Sequence, residues 1–336
     1  MKPKARRTLP RKTTGRRAAS CLLAAVVLLG VLRAEAQRVR DPYRIGAITG
    51  AWAPNHPAVE GLKAGLKEMG IREGNDVLFD IRFTKGNFQA MPMAAAALIK
   101  AGANLIFTTN EASTKAAMAA TQKIPIVFTG VGDPVAAGIV ASFARPQGNV
   151  TGVSALFTEL APKRLEILKT IAPGLRRVLV IYEADDPQSI AAARKAQEAA
   201  PILRIGLLAL PVRTSEELAR SLKSLQPGDG LMAPDVAALD IPDQTLQASL
   251  SARVPIIFGP AFWAGHGALV SYGADYHAQG RQAARLVAKI LRGARPQDLP
   301  VEGANKIDLI INLKTAKKIG LEIPPEMLMR ADRVIK

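Results

Sequence analysis

The sequence predicts an α/β protein built as two similar lobes, each a doubly wound parallel sheet, joined by a hinge of several strands. Three observations carry this. Short apolar runs alternate with helical stripes along most of the chain, the pattern of a parallel sheet with helices on both faces. The pattern occurs twice: Lys123-Ile124-Pro125-Ile126-Val127-Phe128 is answered by Arg253-Val254-Pro255-Ile256-Ile257-Phe258. A repeat at that distance marks a duplicated lobe, not a short-period array. Finally, a further strand and helix follow the second copy, so the chain must cross back.

The elements read as follows. Tyr43–Gly50 is a first strand ending in a glycine turn. Val59, Leu62, Leu66 and Met69 then recur at helical spacing, closed by Gly70. Val77–Phe83 is a strand, Ala94–Lys100 a helix, Ala103–Thr108 a strand and Asn110–Thr121 a helix with Asn110 and Ser113 as N-cap residues. Ile124–Phe128 is a buried strand breaking into Thr129-Gly130-Val131-Gly132-Asp133-Pro134, and Asn149–Ser154 is a short strand leading across. The second lobe reads Lys163–Ala172 (helix), Arg177–Tyr182 (strand), Ser189–Ala200 (helix) and Ile205–Leu210 (strand). A capping box at Thr214–Glu217 opens a helix carrying Leu218, Leu222 and Leu225. Gly230–Ala233, Gln244–Ala252 and Val254–Phe258 complete it as strand, helix and strand. Ala268–Tyr272 is another strand, and Ala283, Leu286, Val287, Ile290 and Leu291 make a helical stripe ended by Gly293. Ile307–Ile311 and Leu313–Ile319 are a last strand and helix.

The ends of the chain's charge distribution carry a different message. Residues 1–36 place a basic stretch (Lys2 to Arg17) before the apolar Ala18–Leu32 and the small-x-small Ala34-Glu35-Ala36. This is the pattern of a secretory signal peptide, too short in its apolar part for a membrane span. Arg16-Arg17 permits a twin-arginine route. Removing that segment leaves a chain of 36 basic and 27 acidic residues and no cysteine, Cys21 being the only one. The mature protein is therefore expected in the periplasm, free of disulfides and dependent on its core. Its basic residues are scattered and not interleaved with aromatics, which argues against nucleic-acid binding.

Catalytic chemistry is hard to find. His56, His266 and His277 lie far apart, without metal-ligand spacing, and read as exposed or hydrogen-bonded single histidines. Gly152-Val153-Ser154-Ala155-Leu156 lacks the second glycine of a nucleophile elbow. Gly130-Val131-Gly132 is followed by Val135 where a dinucleotide fingerprint needs glycine. Asp185-Asp186 reads as a turn or helix cap, not an acid pair. No enzyme, metal or cofactor is expected. In open parallel sheets ligands bind at the carboxyl ends of the strands. Those ends nominate Thr49, Trp52, Asn110, Ser113, Gly130 and Asp133 from the first lobe, and Glu183, Asp235, Pro260 and Tyr272 from the second. Asp133 has two readings: acceptor for a ligand ammonium, or cap of the next turn.

The stretches IPIVFTGVGDPVAAGIVASFARPQGNVTGVSAL, LAPKRLEILKTIAPG and LVSYGADYHAQGRQAARLVAKILRGARPQDLPVEGANKIDLIINLKTAKKIGLEIPPEMLMRADRVIK resemble the periplasmic substrate-binding proteins of ABC transporters, in the group with tryptophan- and tyrosine-type binders. The resemblance covers nearly the whole mature chain. It implies a type I periplasmic binding fold that closes over a small molecule, an amino acid in some relatives. It also implies a membrane permease and its ATPase as partners, and a monomer in solution. The alternative on the same scaffold is a periplasmic enzyme or ligand-sensing domain. The loop Gly50-Ala51-Trp52-Ala53-Pro54 and the pair Asn110-Glu111 depart from the family pattern, so ligand identity does not carry over. The expected lobes are 40–153 plus 270–297 and 154–269 plus 298–336, with crossings near Ser154, Ala268 and Pro300.

Overall fold

The computed structural model describes residues 41–51, 54–233 and 241–336. The expected leader, Trp52 and Asp235 lie outside them. The chain runs β1 (Tyr43–Thr49), α1 (Pro57–Glu68), β2 (Val77–Phe83), α2 (Met91–Lys100), β3 (Leu105–Thr108), α3 (Glu111–Ala120), β4 (Ile126–Val131) and β5 (Val150–Ser154). It continues α4 (Phe157–Ile171), β6 (Arg177–Glu183), α5 (Pro187–Ala199), β7 (Gly206–Val212), α6 (Ser215–Leu222), β8 (Asp229–Met232), α7 (Ile241–Ala252), β9 (Ile256–Phe258) and β10 (Val270–Ala274). Then come α8 (Tyr276–Leu291), β11 (Glu302–Gly303), β12 (Ile307–Asn312), α9 (Leu313–Ile319), α10 (Pro325–Arg330) and β13 (Arg333–Ile335).

Two sheets result. The first has the order β11-β5-β4-β3-β1-β2 and the second β13-β12-β10-β9-β8-β6-β7. The order 2-1-3-4-5 in the first recurs as 7-6-8-9-10 in the second, so both lobes wind alike and each reverses direction beside its first strand. Pairing is parallel except between β10 and β12, which run antiparallel. Strands such as Leu105–Thr108 are buried throughout, as expected where helices cover both faces. Leu62, Leu66, Phe107 and Val287 pack one face of the first sheet, and Met91, Leu98, Ile106 and Phe128 the other. Leu165, Leu179, Leu231, Ile256 and Phe258 belong to the core of the second lobe. Among the described residues no helix is long and apolar enough to cross a membrane.

The chain passes between the sheets at 155–156, at Asp275 and at 304–306. Two of these positions correct the expected boundaries. Strand β10 belongs to the second sheet, pairing with β9 and β12, so 270–274 is not part of the first lobe. Residues 298–303 belong with the first: Glu302–Gly303 pairs with Val153–Ser154, and the Thr151 hydroxyl donates to the Leu299 carbonyl at 2.8 Å. An apolar strand carries no mark of which sheet it will join, so hydropathy could not decide this. Helix α4 also begins six residues earlier than Lys163 and runs through Pro162.

Helix α8 returns the chain to the first lobe and lies against α1. The approach is close enough to require glycine. A Cβ on Gly280 would be 1.9 Å from the Ala58 carbonyl oxygen, and one on Gly61 would be 2.0 Å from that of His277.

Candidate functional site

The carboxyl ends of both sheets point to the junction of the lobes. On the first lobe, β1 ends in Thr49, whose buried hydroxyl accepts the Ala51 N–H at 3.1 Å. β3 ends in Thr109 and Asn110. Asn110 Oδ1 accepts the Ser113 N–H at 2.8 Å, and Ser113 Oγ accepts the Asn110 N–H at 3.2 Å, a reciprocal cap on α3. Ser113 is thus buried and committed to the cap, while Asn110 stays half-buried at the cleft edge. Gly130 has φ +67°, and a Cβ there would strike the Thr109 carbonyl oxygen at 2.2 Å. Its role is to let β4 run tightly past the end of β3.

Asp133 follows at the tip of this turn. Its Oδ1 accepts the N–H groups of Val135 and Ala136 at 3.1 and 3.0 Å, so the carboxylate does cap the next turn. Its own N–H reaches across the junction and donates to Gln188 Oε1 at 2.6 Å. Gln188 lies in the first turn of α5, whose N-cap Asp186 accepts the Ser189 N–H at 2.8 Å. Sequence reasoning missed Gln188. The only signal was its place two residues after a recognised capping aspartate.

The same edge gathers charge from both lobes. Glu111, in the first turn of α3, pairs with Lys115 at 2.5 Å. Burial pushes the Glu111 carboxyl up, opposed by Lys115 and reinforced by Asp186 from the other lobe. Burial also pushes Asp186 up, against the N–H groups of Ser189 and Gln188 and the charge of Lys115. Glu183 is buried at the end of β6, and its N–H donates to Ser189 Oγ at 2.9 Å. The hydroxyl of Thr109, a residue only 4% exposed, has no partner among the described residues.

The remaining nominated residues lie around β9 and β10. Pro260 is buried and opens a short 3-10 turn, Ala261–His266. The Tyr272 side chain packs against the second lobe's core, and its carbonyl accepts Arg164 Nε at 2.8 Å. Beside them an aromatic chain links the lobes. His56 stacks on Tyr276 at 5.8 Å, Tyr276 meets Phe262 at 5.8 Å, and Phe262 meets Trp263 at 4.8 Å. His56 Nδ1 accepts the Ala58 N–H at 3.1 Å, and burial pulls this imidazole down to about 4. Among the described residues no three His, Cys, Asp or Glu side chains converge as a metal-ligand set.

Residues 55–335 match the family model of the ABC transporter substrate binding proteins. The chain belongs to that family. It is also similar to the tyrosine-binding protein of Clostridioides difficile, with 28% identity over 279 residues, 80% of this chain and 79% of that one. Among solved structures, a conserved domain protein of Vibrio cholerae superposes with a TM-score of 0.77 at 26% identity, covering 88% of this chain and all of the other. An ABC domain from Streptococcus pneumoniae in complex with L-Trp gives 0.76 at 22% identity, with the same coverage. As a family member the chain is a substrate-binding protein of type I periplasmic binding architecture, two α/β lobes with three crossings.

Proposed function

We propose that this substrate-binding protein captures an α-amino acid, aromatic or large and apolar, between its lobes and delivers it to a membrane permease driven by an ATPase. The carrying observation is the direct bond from the Asp133 N–H to Gln188 across the junction. It brings the carboxyl edges of both sheets together, so that a small molecule held between them would touch both lobes. The carboxylates of Glu111, Glu183 and Asp186 on that edge suit an ammonium group, and Phe262 and Tyr276 offer ring faces for an apolar side chain. Export through the N-terminal leader and a periplasmic location go with this reading.

Mass spectrometry of small molecules released from the purified, denatured protein tests it, followed by calorimetric titration of whatever is found. Recovery of an amino acid, bound and released unchanged, is the expected result. A released sugar would overturn the ligand class, and conversion of the bound molecule into a product would replace transport with an enzyme on the same scaffold.

A further inference from the structure

Helix α4 is the first element after the chain leaves the first lobe, and its N-terminus, like those of α2 and α10, has no side-chain cap. Helices α1, α3, α5, α6 and α8 each begin with a side chain that accepts a first-turn N–H: His56, Asn110, Asp186, Thr214 and Asp275. Helix α4 begins after Leu156, which has no acceptor to offer and makes no side-chain cap. Leu156 is held at φ 58° and ψ 32°, a left-handed conformation costly for a residue with a branched side chain. The Leu160 N–H is satisfied by the Leu156 carbonyl at 3.0 Å, but those of Phe157 and Thr158 meet no acceptor among the described residues. Both residues are at least nine-tenths buried, at 7% and 2% exposure, where a backbone N–H ordinarily has a partner.

A second observation points the same way. The Thr158 hydroxyl, in that first turn, is itself buried and without a partner among the described residues. Among the described residues, two N–H groups and one hydroxyl at the positive end of this 15-residue helix therefore have no hydrogen-bond partner. The turn lies against the junction of the lobes. Phe157 packs where a Cβ on Gly132 would be, 2.7 Å from its ring, beside Gln188 Oε1. Arg164 braces it, donating to the Phe157 carbonyl at 3.4 Å and to the Tyr272 carbonyl on β10.

We propose that the first turn of α4, through the N–H groups of Phe157 and Thr158 and the Thr158 hydroxyl, holds the carboxylate of the bound amino acid. A helix N-terminus with free N–H donors is suited to an anion, and this one lies on the lobe opposite Glu111. The amino acid would then span the cleft, carboxylate on α4 and ammonium toward Glu111 in the first turn of α3 on the other lobe. This orientation rests on the amino-acid reading above.

The test compares L-tyrosine, L-tryptophan and L-leucine with their carboxamides by calorimetry on the mature protein. At least one free acid should bind about 10- to 100-fold tighter than its amide, the difference expected for hydrogen bonds to a charged group. Thr158→Val, which keeps the volume and loses the hydroxyl, should weaken the acid about tenfold and shrink the acid-to-amide ratio. Thr158→Ser should preserve both. The Thr158 backbone amide proton should move downfield in NMR spectra as the acid binds, a response that a purely structural threonine would not give. An unchanged acid-to-amide ratio in a folded Thr158→Val protein, or an unmoved Thr158 amide, overturns the assignment and leaves the amino-acid reading standing. If none of the three amino acids binds the unaltered protein, both fall together.

Discussion

At the scale of single residues, several side chains at the carboxyl edge of the first lobe are committed to holding the backbone. Asp133 spends its carboxylate on two N–H groups of the following turn. Asp133→Ala is accordingly expected to lower unfolding free energy by ~0.5–2 kcal/mol in urea titrations, the ordinary cost of a lost cap. If affinity collapses with stability intact, the carboxylate acts on the ligand instead. His56 gives a pH signature. Its imidazole caps α1 through Nδ1, and burial holds it down to about 4 against an ordinary 6.5. Between those values the unfolded chain binds the extra proton and the folded one does not. Stability should therefore fall as pH drops from 6.5 toward 4, by up to about 3 kcal/mol. His56→Asn keeps a capping acceptor without the titration, so its stability profile over that range should be flatter; identical slopes would exclude His56 as the source.

At the scale of elements, the pair α1–α8 shows how composition misleads when packing is unknown. Glycine inside a helix normally costs about 1 kcal/mol relative to alanine, so Gly61→Ala and Gly280→Ala would be guessed to stabilise. Here each added methyl would meet a carbonyl oxygen of the partner helix at 2.0 or 1.9 Å. We expect the sign to reverse, with a loss of about 1–3 kcal/mol as the helices are forced apart, read as a lower urea midpoint. Gly70, at φ +79° with open space around it, is the contrasting case, where the backbone conformation and not crowding selects glycine. Most helices and strands were legible because their apolar spacing is regular. Short β11 and β13 were not, since two or three residues carry no periodicity. The early start of α4 was hidden by Pro162, which reads as a break when it is part of the helix.

At the scale of the whole molecule, the lobes are joined by three covalent crossings and by the bond from the Asp133 N–H to Gln188. A ligand touching both lobes selects the closed arrangement. At 100 times its dissociation constant it should add about 2.7 kcal/mol of apparent stability, provided the unfolded chain does not bind it, and it should reduce the radius of gyration in solution scattering. Gln188→Ala removes one cross-lobe hydrogen bond worth about 1 kcal/mol. Affinity should drop about fivefold on that account, with a larger radius of gyration in the free protein. Tight binding without compaction would leave the capture function and remove the hinge.

The sequence by itself determined the class of elements and the duplication of the lobe, and it nominated the strand ends as the edge expected to meet a ligand. Those follow from local spacing and from the rule that parallel strands present their carboxyl ends to ligands. It also pointed to Asn110 and Ser113 as N-caps and to Asp185-Asp186 as a turn or helix cap, and the structure shows Asn110, Ser113 and Asp186 in helix caps. Tertiary structure alone decided that β10 joins the second sheet, that Gln188 meets Asp133, and that Thr158 is buried at an uncapped helix start. Strand partners and contacts between residues 55 positions apart depend on how finished elements pack. An unsatisfied N–H becomes visible only when every neighbour that could have accepted it is in place.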